Sequence, residues 1–93
     1  MRTLLIEYDL NKPGQDYQLL IAKIKTYQWC HHLKSAWFIR AAMTPTQMRE
    51  QLVSYIDAGD DLMIIDVTQD MAAWSGMSVD VSAWVKQALE AAA

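Results

Sequence analysis

Three rhythms of apolar residues alternate along this 93-residue chain. Thr3-Leu4-Leu5-Ile6-Glu7-Tyr8-Asp9 is a short, nearly continuous apolar run, the pattern of a strand buried on both faces. Asn11-Lys12-Pro13-Gly14 breaks it with residues that favour turns. From Asp16, a plausible N-cap, the period changes: Tyr17, Leu20, Ile21, Ile24 and Tyr27 recur at helical spacing and predict a helix over 16–27. Residues 29–33 and 35–41 carry no helical stripe and read as two short strands bent near Lys34-Ser35. Thr44-Pro45-Thr46-Gln47 is a helix start with a cap, a proline in the first turn and a capping-box glutamine. Met48, Leu52, Tyr55 and Ile56 form the buried stripe, and Gly59 is the expected stop. Leu62 to Thr68 repeats the doubly buried strand pattern. After a looser stretch with Trp74 and Gly76, Val81, Trp84, Val85, Ala88 and Leu89 mark a terminal helix over 79–91, opened by Ser78 or Asp80.

The order strand-helix-strand, strand-helix-strand plus one helix predicts an α+β fold. Right-handed crossovers interleave the two units into an antiparallel sheet of order 4-1-3-2, the ferredoxin-like βαββαβ arrangement, with a C-terminal helix. The chain reads as a single domain, 1–93, with its core in about 1–68 and an extension over 69–93. At this length there is room for one core and not two.

Composition sharpens this in three ways. At 53% apolar residues with 4 Trp and 4 Tyr, the chain carries more aromatic surface than a lone small monomer needs, which points to a partner. No apolar run approaches a membrane span, and Met1 to Asp9 lacks a signal-peptide cleavage site. The single Cys30 forms no internal disulfide, so a reducing cytoplasm is the expected compartment. The net charge of −3 is divided unevenly. Residues 1–56 hold seven of the eight Lys/Arg and four acids, whereas residues 57–93 hold Lys86 and seven acids. That balance excludes a general nucleic-acid coat but leaves room for a local basic strip.

Candidate chemistry is sparse. Asp9 closes the first strand, and in the expected topology Asp60-Asp61 begin the strand beside it; three carboxylates there are a candidate oxygen site for a hard cation, against the plainer reading of a solvated turn. Cys30, His31 and His32 do not chelate one ion together, since adjacent strand residues point to opposite faces; His31 and His32 read as surface or interface side chains. No glycine-rich phosphate loop occurs, as Gly14, Gly59 and Gly76 are isolated. Lys12, Lys34 and Arg40, with Lys23, Lys25 and Arg49, are candidate phosphate contacts beside Tyr27, Trp29 and Trp37, if they share a face.

Leu4-Leu5-Ile6-Glu7-Tyr8-Asp9-Leu10 resembles the first strand of the CRISPR-associated Cas-two proteins, which ends in Tyr-Asp, and Lys34-Ser35-Ala36-Trp37 resembles their second hairpin. The run Tyr8 to Tyr17 is more similar to the small stand-alone relatives labelled SinR-like. The resemblance covers about residues 1–68. It implies a ferredoxin-like homodimer in which Asp9 of both subunits holds a divalent metal, Mg²⁺ or Mn²⁺, as in a metal-dependent endonuclease acting on RNA or DNA. The related virulence-associated protein D toxins are ribonucleases. The alternative is a non-catalytic dimeric interaction or scaffold module whose aromatic and C-terminal surfaces hold a protein partner, with the Trp74 segment and the far side of the terminal helix as the expected interface. Two departures stand out: Leu33 sits where the family commonly has Gln, and the chain ends in an Ala-rich helix rather than an extra strand.

Overall fold

The computed structural model describes residues 1–11 and 17–93, so the expected Asp16 cap, the Asn11–Gly14 turn beyond Asn11, and Lys12 lie outside the described residues. Eight elements run in order: β1 (Arg2–Asp9), α1 (Gln18–Ile24), β2 (Gln28–Leu33), β3 (Ala36–Ala41), α2 (Pro45–Leu52), a 3₁₀ turn (Val53–Tyr55), β4 (Asp61–Asp66) and α3 (Val79–Glu90). The fold is α+β. All strand pairs are antiparallel, in the order β2-β3-β1-β4, which counted from the opposite edge is 4-1-3-2.

Local chemistry sets the element ends. Thr44 Oγ1 accepts from the Gln47 amide while the Gln47 side chain accepts from the Thr44 amide, the reciprocal capping box that the sequence predicts. Ser78, rather than Asp80, caps α3 by accepting from the Val81 amide. α1 is shorter than expected. Thr26 Oγ1 donates to the Lys23 carbonyl at 2.7 Å, and the tightened turn this makes ends the helix before Tyr27. α2 also ends early, at Leu52, where the backbone tightens into the 3₁₀ turn. Gly59, with φ +95°, instead makes the sharp turn into β4, against the Asn11 side chain.

The strand registers divide the side chains cleanly. Leu4 and Ile6 face Trp37, Ile39, Ile64 and Leu62 on one side of the sheet, where Leu20 and Ile24 of α1 and Met48 and Leu52 of α2 close over them. Leu5, Phe38 and Cys30 face the other side, covered by Val85 and Leu89 of α3 with Trp74 and Trp84 beside them. Trp74 packs partly within the chain: it is half-buried, and its indole N–H donates to Ser82 Oγ. A correction concerns β4. Its continuous apolar run suggests burial on both faces, yet it is an edge strand on which Asp61, Met63 and Ile65 are exposed in alternation with half-buried Leu62, Ile64 and Asp66. α3 packs toward the β2 side of the sheet and leaves this half open.

Thr3 joins the two halves. It is fully buried, and its hydroxyl donates to the Ala88 carbonyl at 2.7 Å. Its amide donates to Thr68 Oγ1, and its carbonyl accepts from the Val67 amide. One residue of β1 thus satisfies backbone groups at the exit of β4 and in the last turn of α3.

Candidate functional site

Asp9 is exposed at the end of β1 and lies directly opposite Asp61 in the β1–β4 ladder. With a two-residue side-chain period, Glu7 shares that face, so three carboxylates cluster where α3 does not reach. Glu7, Tyr8, Asp9, Asp61, Leu62 and Met63 line a shallow pocket of about 470 Å³ there. Asp60 is not part of the cluster. Its carboxylate accepts from the Asn11 amide, the Tyr17 hydroxyl and the Asp57 amide, so it ties the turn before β4 to the residues after β1. This replaces the three-acid set of Asp9, Asp60 and Asp61 with Glu7, Asp9 and Asp61. Glu7 carries no sequence signal of its own until the β1–β4 register is known.

Among the described residues, no group of three His, Cys, Asp or Glu side chains is close enough to hold a metal ion. The carboxylates are oxygen donors of the type that suits Mg²⁺ or Mn²⁺. One copy of the chain does not assemble them into a complete ligand shell.

The phosphate-contact candidates do not form one strip. Lys34 sits in the two-residue β2–β3 turn at the Asp9 end of the sheet, where the Ser35 carbonyl accepts from the Tyr8 amide. Arg40 is at the opposite end, opposite Thr3 and Gln28. Its guanidinium Nη2 donates to the carbonyls of Met1 and Ala92 at 2.9 and 3.1 Å and so ties β3 to both of those segments. The one ion pair among the described residues, Arg2 with Asp66 at 2.6 Å, also lies at this end. Asp66 accepts two hydrogen bonds from Thr68, and these, with Arg2, hold its carboxyl below the usual carboxylate range. Asp66 is thus a strand-end cap.

His31 and His32 point to opposite faces, as strand geometry requires. His31 stacks on Trp37 with ring centroids 3.8 Å apart, and His32 packs on Phe38 at 4.3 Å. Burial lowers the His32 pKa, and its Nδ1 has no hydrogen-bond partner. Cys30 is buried against Phe38, which pushes its thiol up and leaves it a poor nucleophile.

Exposed apolar groups occur on several elements, among them Leu19 on α1, Trp29 and Leu33 on β2 and Val53 in the 3₁₀ turn, and the open half carries its own set. Met63 is 58% and Ile65 39% exposed on β4, Met71 is 99% exposed in the following loop, and Val79 is exposed at the start of α3. Among the described residues, no helix is long and apolar enough to cross a membrane. Set against family models, curated proteins and solved structures, the chain matches none of them.

Proposed function

We propose that the protein is a homodimeric interaction module of the Cas-two-like, ferredoxin-like type, in which a second copy covers the open half of the sheet at β1 and β4. The supporting observation is β4 itself. It is an edge strand with unpaired backbone groups on one side and Met63 and Ile65 turned to solvent on the face that α3 leaves uncovered. An exposed apolar edge invites pairing and aggregation unless something covers it. The ferredoxin-like reading draws on the β2-β3-β1-β4 order and on the placement of α1 and α2 together on one face. Sedimentation velocity tests the reading. The wild-type chain is expected to sediment as a dimer, and Met63→Lys with Ile65→Lys as a folded monomer. A wild-type chain that stays monomeric at about 100 μM overturns it, since specific interfaces bind well below that range.

A second reading, a metal-dependent endonuclease, rests on Glu7, Asp9 and Asp61 lying on that same open face. A two-fold contact there would bring two such sets together and supply the oxygen ligands that one copy lacks. A bound divalent ion supplies charge neutralisation and an activated water for phosphodiester cleavage. Asp9 in each subunit would hold the ion, with Glu7 and Asp61 orienting around it. Cleavage of RNA or DNA that needs Mg²⁺ or Mn²⁺ and disappears in Asp9→Asn, with the dimer intact, is the expected result. Wild-type protein that cleaves nothing with either metal removes this reading and leaves the dimer standing.

A further inference from the structure

The opposite edge of the sheet carries a different surface. Trp29 and His31 lie on the helix-covered face of β2, two residues apart and both exposed, Trp29 to 41%. Beneath them Trp37 is 1% exposed and fixed, its indole N–H donating to the Tyr8 hydroxyl at 2.9 Å. His31 stacks on it almost parallel, with an interplanar angle of 3°, and Trp29 leans against it at 5.4 Å. His31 Nε2 is 3.2 Å from the Lys34 carbonyl, which anchors the ring from the β2–β3 turn. Lysines lie over these rings: Lys25 Nζ is 4.9 Å from the Trp29 centroid and 5.9 Å from that of Trp37, and Lys23 Nζ is 5.5 Å from the Tyr27 ring.

We infer that this β2 edge is a stacking platform for unpaired bases of a single-stranded nucleic acid. Trp29 and His31 stand two residues apart on one face of β2, both packed on the same Trp37 ring and both exposed. Both rings are held from behind by the packed Trp37, so little side-chain freedom is lost when a base stacks on them. Lys25, over Trp29, is a charge that a phosphate would draw, with Lys23 nearby over Tyr27. Lys25 is the exposed C-cap residue of α1, so its side chain can turn outward without disturbing the fold. Ring faces flanked by cations are the combination that single-stranded binders use, stacking for the base and charge for the backbone. A duplex hides its bases in the stack and offers the rings nothing. The platform is on the edge opposite β4 and does not depend on association there.

The test is intrinsic tryptophan quenching and fluorescence anisotropy of the full chain with labelled oligo(dT) and oligo(U) of 12 nucleotides, a 12-base-pair duplex serving as control. The expected result is quenching and binding by the single strands, weakening steeply as salt rises, with little response to the duplex. Trp29→Ala is expected to weaken single-strand binding about tenfold. Lys25→Gln is expected to weaken it severalfold and to reduce the salt slope. Circular dichroism checks that both surface variants remain folded. No binding by wild type, equal binding of duplex, or affinity unchanged in folded Trp29→Ala overturns the proposal. Sedimentation of the same samples reads the β4 association separately, so neither result can be mistaken for the other.

Discussion

The two faces of the sheet are built from the same four strands and end differently. On one, Leu4, Ile6, Trp37 and Ile39 are sealed beneath two helices and have essentially no exposure. On the other, a single helix covers β2 and β3, and the β4 half keeps Met63 and Ile65 in water beside Glu7, Asp9 and Asp61. The first face holds the larger of the two core clusters. The second carries apolar and acidic groups whose presence the monomer's packing does not require. Where a fold leaves such groups uncovered, the uncovered half is the place to look for function.

Four substitutions and a pH series test that contrast, from the largest effect to the smallest. Ile6→Ala, in the sealed core, is expected to lower unfolding free energy by about 3–4 kcal/mol in urea denaturation, the transfer loss of a buried aliphatic plus a cavity that two helices cannot close. Leu89→Ala, under α3, is expected near the low end for its type, about 2 kcal/mol, because the half-open surroundings can relax into the space. Equal losses at the two sites would mean that the faces are equally well packed. Thr3→Val strips the hydroxyl from the Ala88 carbonyl and leaves that acceptor buried, with an expected cost of about 1–2 kcal/mol and faster amide exchange at the end of α3. Ile65→Lys is expected to change the stability of the dilute monomer by only about 0.5 kcal/mol, while the dimer dissociates. A loss as large as that of Ile6→Ala would erase the distinction.

The pH dependence is smaller and has a definite sign. His32 is held below its usual 6.5 by burial, so the folded chain binds fewer protons than the unfolded one once pH drops below that value. Stability therefore falls as pH falls from 6.5 toward the folded pKa and levels off below it. Asp66 is held below its usual 3.8 by the Thr68 hydrogen bonds and then by Arg2. Its contribution is complete above 3.8 and is lost as pH falls through its folded value. A urea midpoint that drops in these two separate steps, with the upper one absent in His32→Phe, is the expected record.

Much of this fold was legible in the residues. Thr44-Pro45-Thr46-Gln47 and Ser78 announce their helices through side-chain oxygens at fixed offsets, and Lys34-Ser35 marks the hairpin. The exposure of β4 was not legible. Leu62-Met63-Ile64-Ile65 has the same apolar continuity as a central strand, and only the sheet order and the position of α3 show which alternate residues meet water. The candidate site was half visible. Asp9 and Asp61 stood out at neighbouring strand ends, and the register adds Glu7, whereas Asp60 is drawn away by the turn it holds. Arg40 illustrates the opposite limit: its bonds to the Met1 and Ala92 carbonyls carry no signal in the sequence.

Thr3 also bears on the time course of folding. Its hydroxyl waits for a carbonyl 85 residues away, and its amide for a side chain 65 residues away. The amide bond needs the chain as far as Thr68, and the hydroxyl bond needs it as far as Ala88. The β1–β4 ladder itself joins residues as far apart as Leu4 and Asp66, so the amide bond accompanies that pairing, whereas the hydroxyl bond also needs α3 seated on the sheet. A β1 slipped by one residue would turn Thr3 to the wrong face and leave the Ala88 carbonyl unanswered. α3 thus depends on the register of β1, and a chain lacking Thr3 Oγ1 is expected to lose that link, read as faster amide exchange in β1 as well as at the end of α3.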